Sequence, residues 1–118
     1  MAFDATPVLP DTIAPVLSHD QKIVLRAIEI ISDPERWTQG RSAESADGVW
    51  VRVRSKHAVR FCAKGAIHLA AHQLGYSRFR AAKIMLSFRK GMRRSLEHTN
   101  DGRGRLAAIA RMKAAYAV

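Results

Sequence analysis

The chain has 118 residues, of which 47% are hydrophobic, and its 20 Lys and Arg residues against 10 Asp and Glu give a formal net charge of +10 at pH 7. This length suits one domain, and the apolar content excludes wholesale disorder. The single cysteine excludes an internal disulfide framework and is typical of a reducing compartment, so we expect a cytoplasmic protein.

Residues 1–17 are predicted to form an extended N-terminal arm, because Pro7, Pro10 and Pro15 stiffen it. The arm lacks the basic leader of a signal peptide, and no apolar run in the chain is long enough to cross a bilayer. We therefore expect no membrane span, and we assign residues 18–118 to a single helical domain.

The first predicted helix begins at Ser18, because Ser18-His19-Asp20-Gln21 has the form of a capping box. Its apolar residues recur at helical spacing until Pro34 ends the helix. Residues 37–54 are predicted to form a β-hairpin. Asp47-Gly48 is a favoured two-residue turn, and valines alternate with other residues after it over 49–53.

A second predicted helix covers about residues 57–74 and ends at Gly75, a residue suited to a left-handed C-cap. A third begins at Ser77, and its apolar stripe consists of Ala81, Met85, Phe88, Met92 and Leu96. Asn100-Asp101-Gly102 is predicted to break the chain before a fourth helix over about 103–116, which would bury Leu106, Ile109 and Ala110. The expected fold is mainly α, with about four helices and a small β-hairpin between the first two.

The junction between the second and third predicted helices has the pattern of a helix-turn-helix. Ala71 lies four residues before the turn glycine, Gly75, so that two helices could cross closely. In this interpretation the third helix would present Arg78, Arg80 and Lys83 to a groove of DNA. Any helix hairpin with a glycine C-cap gives the same short pattern, so a purely structural junction is the alternative.

Positive charge is concentrated in residues 76–118, which hold 11 Lys and Arg residues and only two acidic ones. This imbalance predicts a cationic surface for nucleic acid or an acidic protein, whereas a surface that only maintains solubility usually mixes both signs. On a helical wheel of the third predicted helix, Arg80, Lys83, Lys90 and Arg94 fall within a narrow arc. If six to eight cations contact phosphates, the log–log salt slope of binding would be about −5 to −7. The predicted contact residues are Arg78, Arg80, Lys83, Lys90, Arg94, Arg103 and Arg105.

Cys62 is predicted near the start of the second helix, where the helix dipole and neighbouring cations would lower the pKa of its thiol. A cysteine-dependent hydrolase or a redox-responsive protein is therefore the alternative function. Cys62 would be the nucleophile, His98 or His57 the base, and Asn100 the orienting residue. Against this, a free cysteine among small apolar residues is often a structural part of the core.

His68 and His72 lie one helical turn apart, as in zinc-binding helices. No third ligand lies nearby in the sequence, so we predict neither a metal site nor a cofactor.

Four segments together resemble a family of small bacterial proteins of unknown function: Arg36-Trp37-Thr38-Gln39-Gly40, Ala46-Asp47-Gly48, Phe61-Cys62-Ala63-Lys64-Gly65-Ala66 and Asn100-Asp101. That family has a W-T-Q-G segment, a C-A-x-G-A helix and a late N-D pair, and the likeness covers about residues 20–116. The resemblance implies no activity. It implies a bacterial domain in which six residues share a site or a structural knot, namely Trp37, Gln39, Cys62, Gly65, Asn100 and Asp101. These motifs lie outside residues 70–84, which argues against a dedicated helix-turn-helix.

Taken together, the charge pattern favours a non-enzymatic accessory protein. We expect it to bind nucleic acid or another polyanionic partner through its basic C-terminal helical face.

Overall fold

A computed structural model describes residues 16–118, so residues 1–15 of the predicted arm lie outside the described part. The described residues form five α-helices, two short 3₁₀ turns and one small antiparallel sheet. The helices are α1 (His19–Ser32), α2 (Ala63–Gln73), α3 (Arg78–Ser87), α4 (Leu96–Arg103) and α5 (Arg105–Tyr116), the 3₁₀ turns are Pro34–Arg36 and Lys90–Met92, and β1 (Ala43–Glu44) pairs with β2 (Arg60–Phe61). The mainly helical class with a small β element is confirmed, but the helix count of four was too low.

The central element is α1, which packs against α2, α3 and α5. Its predicted capping box is confirmed, because Ser18 Oγ accepts a hydrogen bond from Gln21 N and Gln21 Oε1 accepts one from Ser18 N. Asp33, before Pro34, is extended and ends the helix as expected. Six residues of α1 are buried and form the middle of the core: Ile23, Val24, Ala27, Ile28, Ile30 and Ile31.

The second helix starts later than predicted, at Ala63, because residues 60–61 belong to the sheet and Cys62 caps the helix. The predicted junction after α2 is confirmed. Gly75 has a φ of +82°, and Ser77 Oγ accepts a hydrogen bond from Arg80 N at the start of α3. A small buried residue, Ala71, lies on α2 ahead of this turn.

The Asp47-Gly48 turn is confirmed, with Gly48 at a φ of +79° and Ser45 N donating to Val49 O at 2.9 Å. The strand predicted over 49–53 is wrong, since only Trp50 makes a β-bridge there. The partner of β1 is instead β2, which sets Ala43 opposite Phe61. Burial explains the choice, because this pairing puts two apolar side chains into the core whereas Val49 and Trp50 stay exposed.

The third predicted helix is wrong as a continuous element, because it is broken after Ser87. The burial predicted for its apolar stripe is confirmed at Ala81, Met85, Phe88 and Leu96. α3 ends at Ser87, Gly91 has a φ of +67° in the following turn, and Ser95 caps a new helix by accepting from His98 N. The break predicted at Asn100-Asp101-Gly102 is also wrong, because these residues lie inside a helix, α4. The chain bends instead at Gly104, which has a φ of +94°.

The buried face predicted for α5 is confirmed at Ile109 and wrong at Leu106 and Ala110, which are exposed. Ala108, Ile109 and Met112 are buried, whereas Leu106 is 69% exposed. Arg105 helps to orient the helix, because its Nη1 donates to two carbonyl oxygens at the C-terminus of α1, those of Ile31 and Ser32. Within residues 16–118, no helix combines the length and the hydropathy that crossing a membrane requires.

The segment before β1 passes very close to α2 at Gly65. A Cβ built on Gly65 would lie 1.9 Å from the carbonyl oxygen of Ser42, a backbone atom that also accepts a hydrogen bond from Cys62 N at 3.2 Å. No side chain larger than hydrogen fits at this crossing.

We predict that Gly65→Ala lowers the free energy of unfolding by about 2 kcal/mol or more, because backbone must move to admit the methyl group. Urea denaturation followed by circular dichroism measures the change. The matched control is Gly102→Ala in α4, where the added Cβ meets nothing within 4 Å. That variant should be neutral or more stable by up to about 1 kcal/mol. Equal midpoints for the two variants would contradict the crossing.

Candidate functional site

The side chain of Asn100, on α4, is fully buried and joins three separate segments. Its Oδ1 accepts from Trp37 Nε1 at 2.7 Å and from Ala63 N at 3.0 Å. Its Nδ2 donates to Thr38 O at 3.1 Å and to Asp101 Oδ1 at 3.0 Å. An amide side chain offers two acceptor lone pairs and two donors, so every one of them has a partner.

Asp101 extends this cluster toward the surface. Its Oδ1 also accepts from Gly40 N at 2.9 Å, and its backbone oxygen accepts from Gln39 Nε2 at 3.2 Å. Residues 37–40 are thus fastened to α4 at several points. Four of the six residues that the resemblance singles out take part in this cluster, namely Trp37, Gln39, Asn100 and Asp101. The other two, Cys62 and Gly65, lie at the start of α2.

Cys62 is the N-cap of α2, and its Sγ accepts from Gly65 N at 3.4 Å. The residue is only 4% exposed. Burial raises the pKa of the Cys62 thiol, and the hydrogen bonds from the backbone of Gly65 and Lys64 oppose this only in part. The expectation of a lowered pKa was therefore wrong in direction, because desolvation of the thiolate outweighs the helix terminus.

An open cleft of about 480 Å³ borders Cys62, and its lining residues are Gly40, Arg41, Ser42, Trp50, Cys62, Glu97 and Asp101. Neither His57 nor His98, the two predicted bases, is among them. The side-chain amide of Asn100, the predicted orienting residue, makes all of its hydrogen bonds within its own cluster. The side chains assigned to cysteine chemistry are therefore not gathered around this cleft.

A larger groove of about 700 Å³ lies between α4, α5 and the segment that follows the second 3₁₀ turn, Lys90–Met92. No carboxylate is among the described residues that line it. We call it the basic groove, and its lining residues are Arg93, Arg94, His98, Thr99, Arg103, Ala107, Ala110 and Arg111. Four guanidinium groups and an imidazole therefore share one concave surface.

Arg111 holds this groove together. Its guanidinium donates to the carbonyl oxygens of Phe88, Arg94 and Ser95 and to Thr99 Oγ1, at 2.7 Å for the last. Burial, and then the positive charge of Arg93, lower the pKa of Arg111, but a guanidinium stays charged in proteins. Arg111 thus joins the end of α3 to the start of α4 by hydrogen bonds, and its own positive charge lies near that of Arg93.

Of the seven predicted contact residues, Arg94 and Arg103 lie in the basic groove. Arg80 pairs with a carboxylate at the surface, with its Nη1 3.0 Å from Asp20 Oδ1 and its guanidinium 5.4 Å from the Tyr76 ring centroid. Arg105 is occupied in capping α1. The narrow arc predicted on the third helix for Arg80, Lys83, Lys90 and Arg94 is wrong, because it assumed one continuous helix and α3 ends at Ser87.

The other three predicted residues lie on different parts of the surface. Lys83 is exposed on α3, Lys90 borders a shallow pocket that also includes Arg93, and Arg78 lines a separate pocket beside α2. Within the described part of the chain, no group of three or more His, Cys, Asp or Glu side chains is placed to hold a metal ion.

Sequence reasoning missed Arg93, His98 and Arg111 as groove residues. On an unbroken helix Arg93 falls to one side of the arc, and His98 and Arg111 lie on other elements. Two local signals were available, since Gly91 is suited to a helix end and Ser95 to an N-cap. Recognising that break would have separated α4 from α3.

A family model matches residues 18–117 and carries the description "Family of unknown function (DUF6197)". The chain belongs to DUF6197. No curated protein and no solved structure shows a significant match to it. The resemblance to a family of unknown function is confirmed in that form, and the matched range includes both the Asn100 cluster and the basic groove of this DUF6197 member.

For this DUF6197 chain we predict that Asn100→Ala lowers the free energy of unfolding by about 3 kcal/mol or more. The change leaves the Trp37 indole N–H and the Ala63 amide without their partner in a buried place. Gln39→Ala is the control, since it removes one exposed hydrogen bond and should cost less than about 1 kcal/mol. Urea denaturation measures both, and a similar loss in the two variants would argue against the cluster as the anchor.

We also predict that Cys62 reacts slowly with a thiol reagent in the folded protein and rapidly in urea, because the native thiol is buried and its pKa is raised. The native rate should increase with pH, since only the thiolate reacts. A variant with Cys62→Ala and Asp47→Cys, which moves the cysteine to an exposed turn, is the control for full accessibility. Native labelling of Cys62 as fast as in that control would restore the cysteine-based alternative.

Proposed function

We propose that this DUF6197 protein binds nucleic acid non-enzymatically through the basic groove, by contacts to backbone phosphates. The observation that carries the proposal is the convergence of four arginines and His98 on one groove with no described carboxylate among the lining residues. Arginine is suited to phosphate because its planar fork can donate two parallel hydrogen bonds to one phosphate group.

The groove is a preformed site for an anion. Arg111 is fixed by hydrogen bonds to the main chain, so it lends positive charge to the groove without needing to move. Arg93, Arg94 and Arg103 are exposed and are free to follow a ligand. Their mutual repulsion costs energy in the unbound protein, and an anion between them relieves it.

An extended polyanion fits this surface better than a single anion does. Arg93 borders both the basic groove and the neighbouring pocket that contains Lys90, so the cationic surface continues past the groove. A chain of regularly spaced phosphates can use both places at once. Contacts of this kind hold the backbone and read no sequence, so we expect non-specific binding.

The setting that we propose is a bacterial cytoplasm. The single cysteine, which is free and buried, is compatible with a reducing compartment, and a bacterial origin is what the resemblance described above implies.

Cysteine-dependent chemistry is the less supported alternative. It requires a reactive Cys62 with His98 and Asn100 beside it, whereas the thiol is buried, His98 borders the basic groove and Asn100 has no free hydrogen-bonding capacity.

We predict that a fluorescent 20-base-pair duplex binds with a log–log salt slope of about −3 to −4, because three or four arginines are placed to neutralise phosphates. This is shallower than the slope expected from the sequence, since the guanidinium groups of Arg80 and Arg105 already have partners within the protein. Arg94→Gln and Arg103→Gln should each weaken binding and reduce the slope by about 1. Fluorescence anisotropy over a series of salt concentrations measures both quantities.

Lys22→Gln is the matched control, because it removes one exposed positive charge from α1, outside the groove. It should leave the slope nearly unchanged. Binding that does not depend on salt, or an equal loss in Lys22→Gln and Arg103→Gln, would show that the groove is not the interface.

A further inference from the structure

A second cationic pocket, of about 280 Å³, lies beside α2. We call it the His68 pocket, and its lining residues are Ser42, Arg52, Val53, Arg54, Lys64, His68 and Arg78. It shares no residue with the basic groove. Its volume is just below the range of about 300 to 1,000 Å³ that is typical of sites for drug-sized molecules, so it suits a smaller ligand.

Three parts of the chain bring cations to this pocket. The loop after the Asp47-Gly48 turn supplies Arg52 and Arg54, α2 supplies Lys64, and the start of α3 supplies Arg78. Among the described residues, no carboxylate lies within 4.0 Å of the three arginines, and only Lys64 has an acidic partner, Glu97 at 3.7 Å. The charge in the pocket is therefore largely unbalanced by the protein.

His68 lies half-buried among these cations. Burial lowers the pKa of His68, and the positive charges of Lys64, Arg54 and Arg78 lower it further, while Glu97 opposes them weakly. The imidazole is therefore mainly neutral at pH 7. An anion in the pocket would reverse the balance of charge around it and favour its protonated form.

We propose that the His68 pocket binds a phosphate group, held by Arg54 and Arg78 with Lys64 beside them and with His68 as a further hydrogen-bond donor. Four cations from three parts of the chain surround a concavity of a size suited to a small ligand. This site is independent of the proposed nucleic-acid binding, because each site has its own set of residues.

The first test is isothermal titration of the full chain with inorganic phosphate and with a nucleoside monophosphate. Arg54→Gln and Arg78→Gln should each weaken binding by about tenfold, which is the usual loss for one charge-assisted hydrogen bond. Lys22→Gln is the control for loss of charge alone and should bind like the wild type. Absence of binding, or binding that Arg103→Gln weakens and Arg54→Gln does not, would overturn the proposal.

A pH series with sulfate tests the part played by His68, because sulfate stays a dianion from pH 8 to pH 5.5 whereas phosphate changes its charge in that range. If the bound anion raises the pKa of His68, the imidazole takes up a proton when the anion binds. Wild-type affinity should then increase as pH falls, by at most about tenfold per pH unit for one proton. His68→Gln should bind sulfate with no such dependence. Its fold is checked by thermal unfolding. A wild-type affinity that does not change with pH, or the same dependence in His68→Gln, would overturn the role of His68.

Competition with duplex distinguishes two sources of the phosphate. A nucleoside monophosphate that binds the Arg103→Gln variant and is not displaced by duplex assigns the pocket to a small phosphomonoester. Displacement by duplex in that variant assigns it to a backbone phosphate of a nucleic acid. Both results support the phosphate site, and both can be obtained even if the basic groove binds no nucleic acid.

Discussion

The buried amide of Asn100 is the interaction on which the arrangement of this molecule most depends. It lies in the middle of α4, and its four hydrogen bonds fix that helix against the start of α2 and against residues 37–40. A polar side chain in the core is tolerated only when it is fully paired, and then it permits one geometry. The same helix carries His98 and Arg103 into the basic groove, so the position of those groups follows from the Asn100 cluster.

Arginine has two separate uses in this protein, and they must be distinguished before charge can be related to function. Arg111 and Arg105 donate to main-chain oxygens at places where helices end, and there they act as fixed structural parts. Arg94 and Arg103 have no such partner among the described residues and border an open groove. The formal charge of +10 therefore overstates the positive charge that a partner can reach. What matters for binding is the placement of a few guanidinium groups.

Local signals in the sequence predicted the elements whose geometry is decided locally. The capping box at Ser18 and the Gly75 turn with Ser77 are of this kind. The sequence could not show that Asn100-Asp101-Gly102 is helical, because a turn-like triplet is held in α4 by partners more than 35 residues away. For the candidate site, Arg94 and Arg103 were among the predicted contact residues, and both border the basic groove. Their grouping with Arg93, His98 and Arg111 depends on the break near Gly91, which a continuous apolar stripe concealed.

The ion pairs of the described residues show why the two cationic sites remain charged. Carboxylates pair with Arg26, Arg41, Arg60, Lys64 and Arg80, and none pairs with the arginines of the basic groove or with those of the His68 pocket. Like charges held together without counter-charge destabilise the folded state, and the core and the hydrogen bonds of Arg111 must offset that cost. A ligand that neutralises either site removes part of it. A ligand that bound either site only in the folded state would therefore also raise the free energy of unfolding.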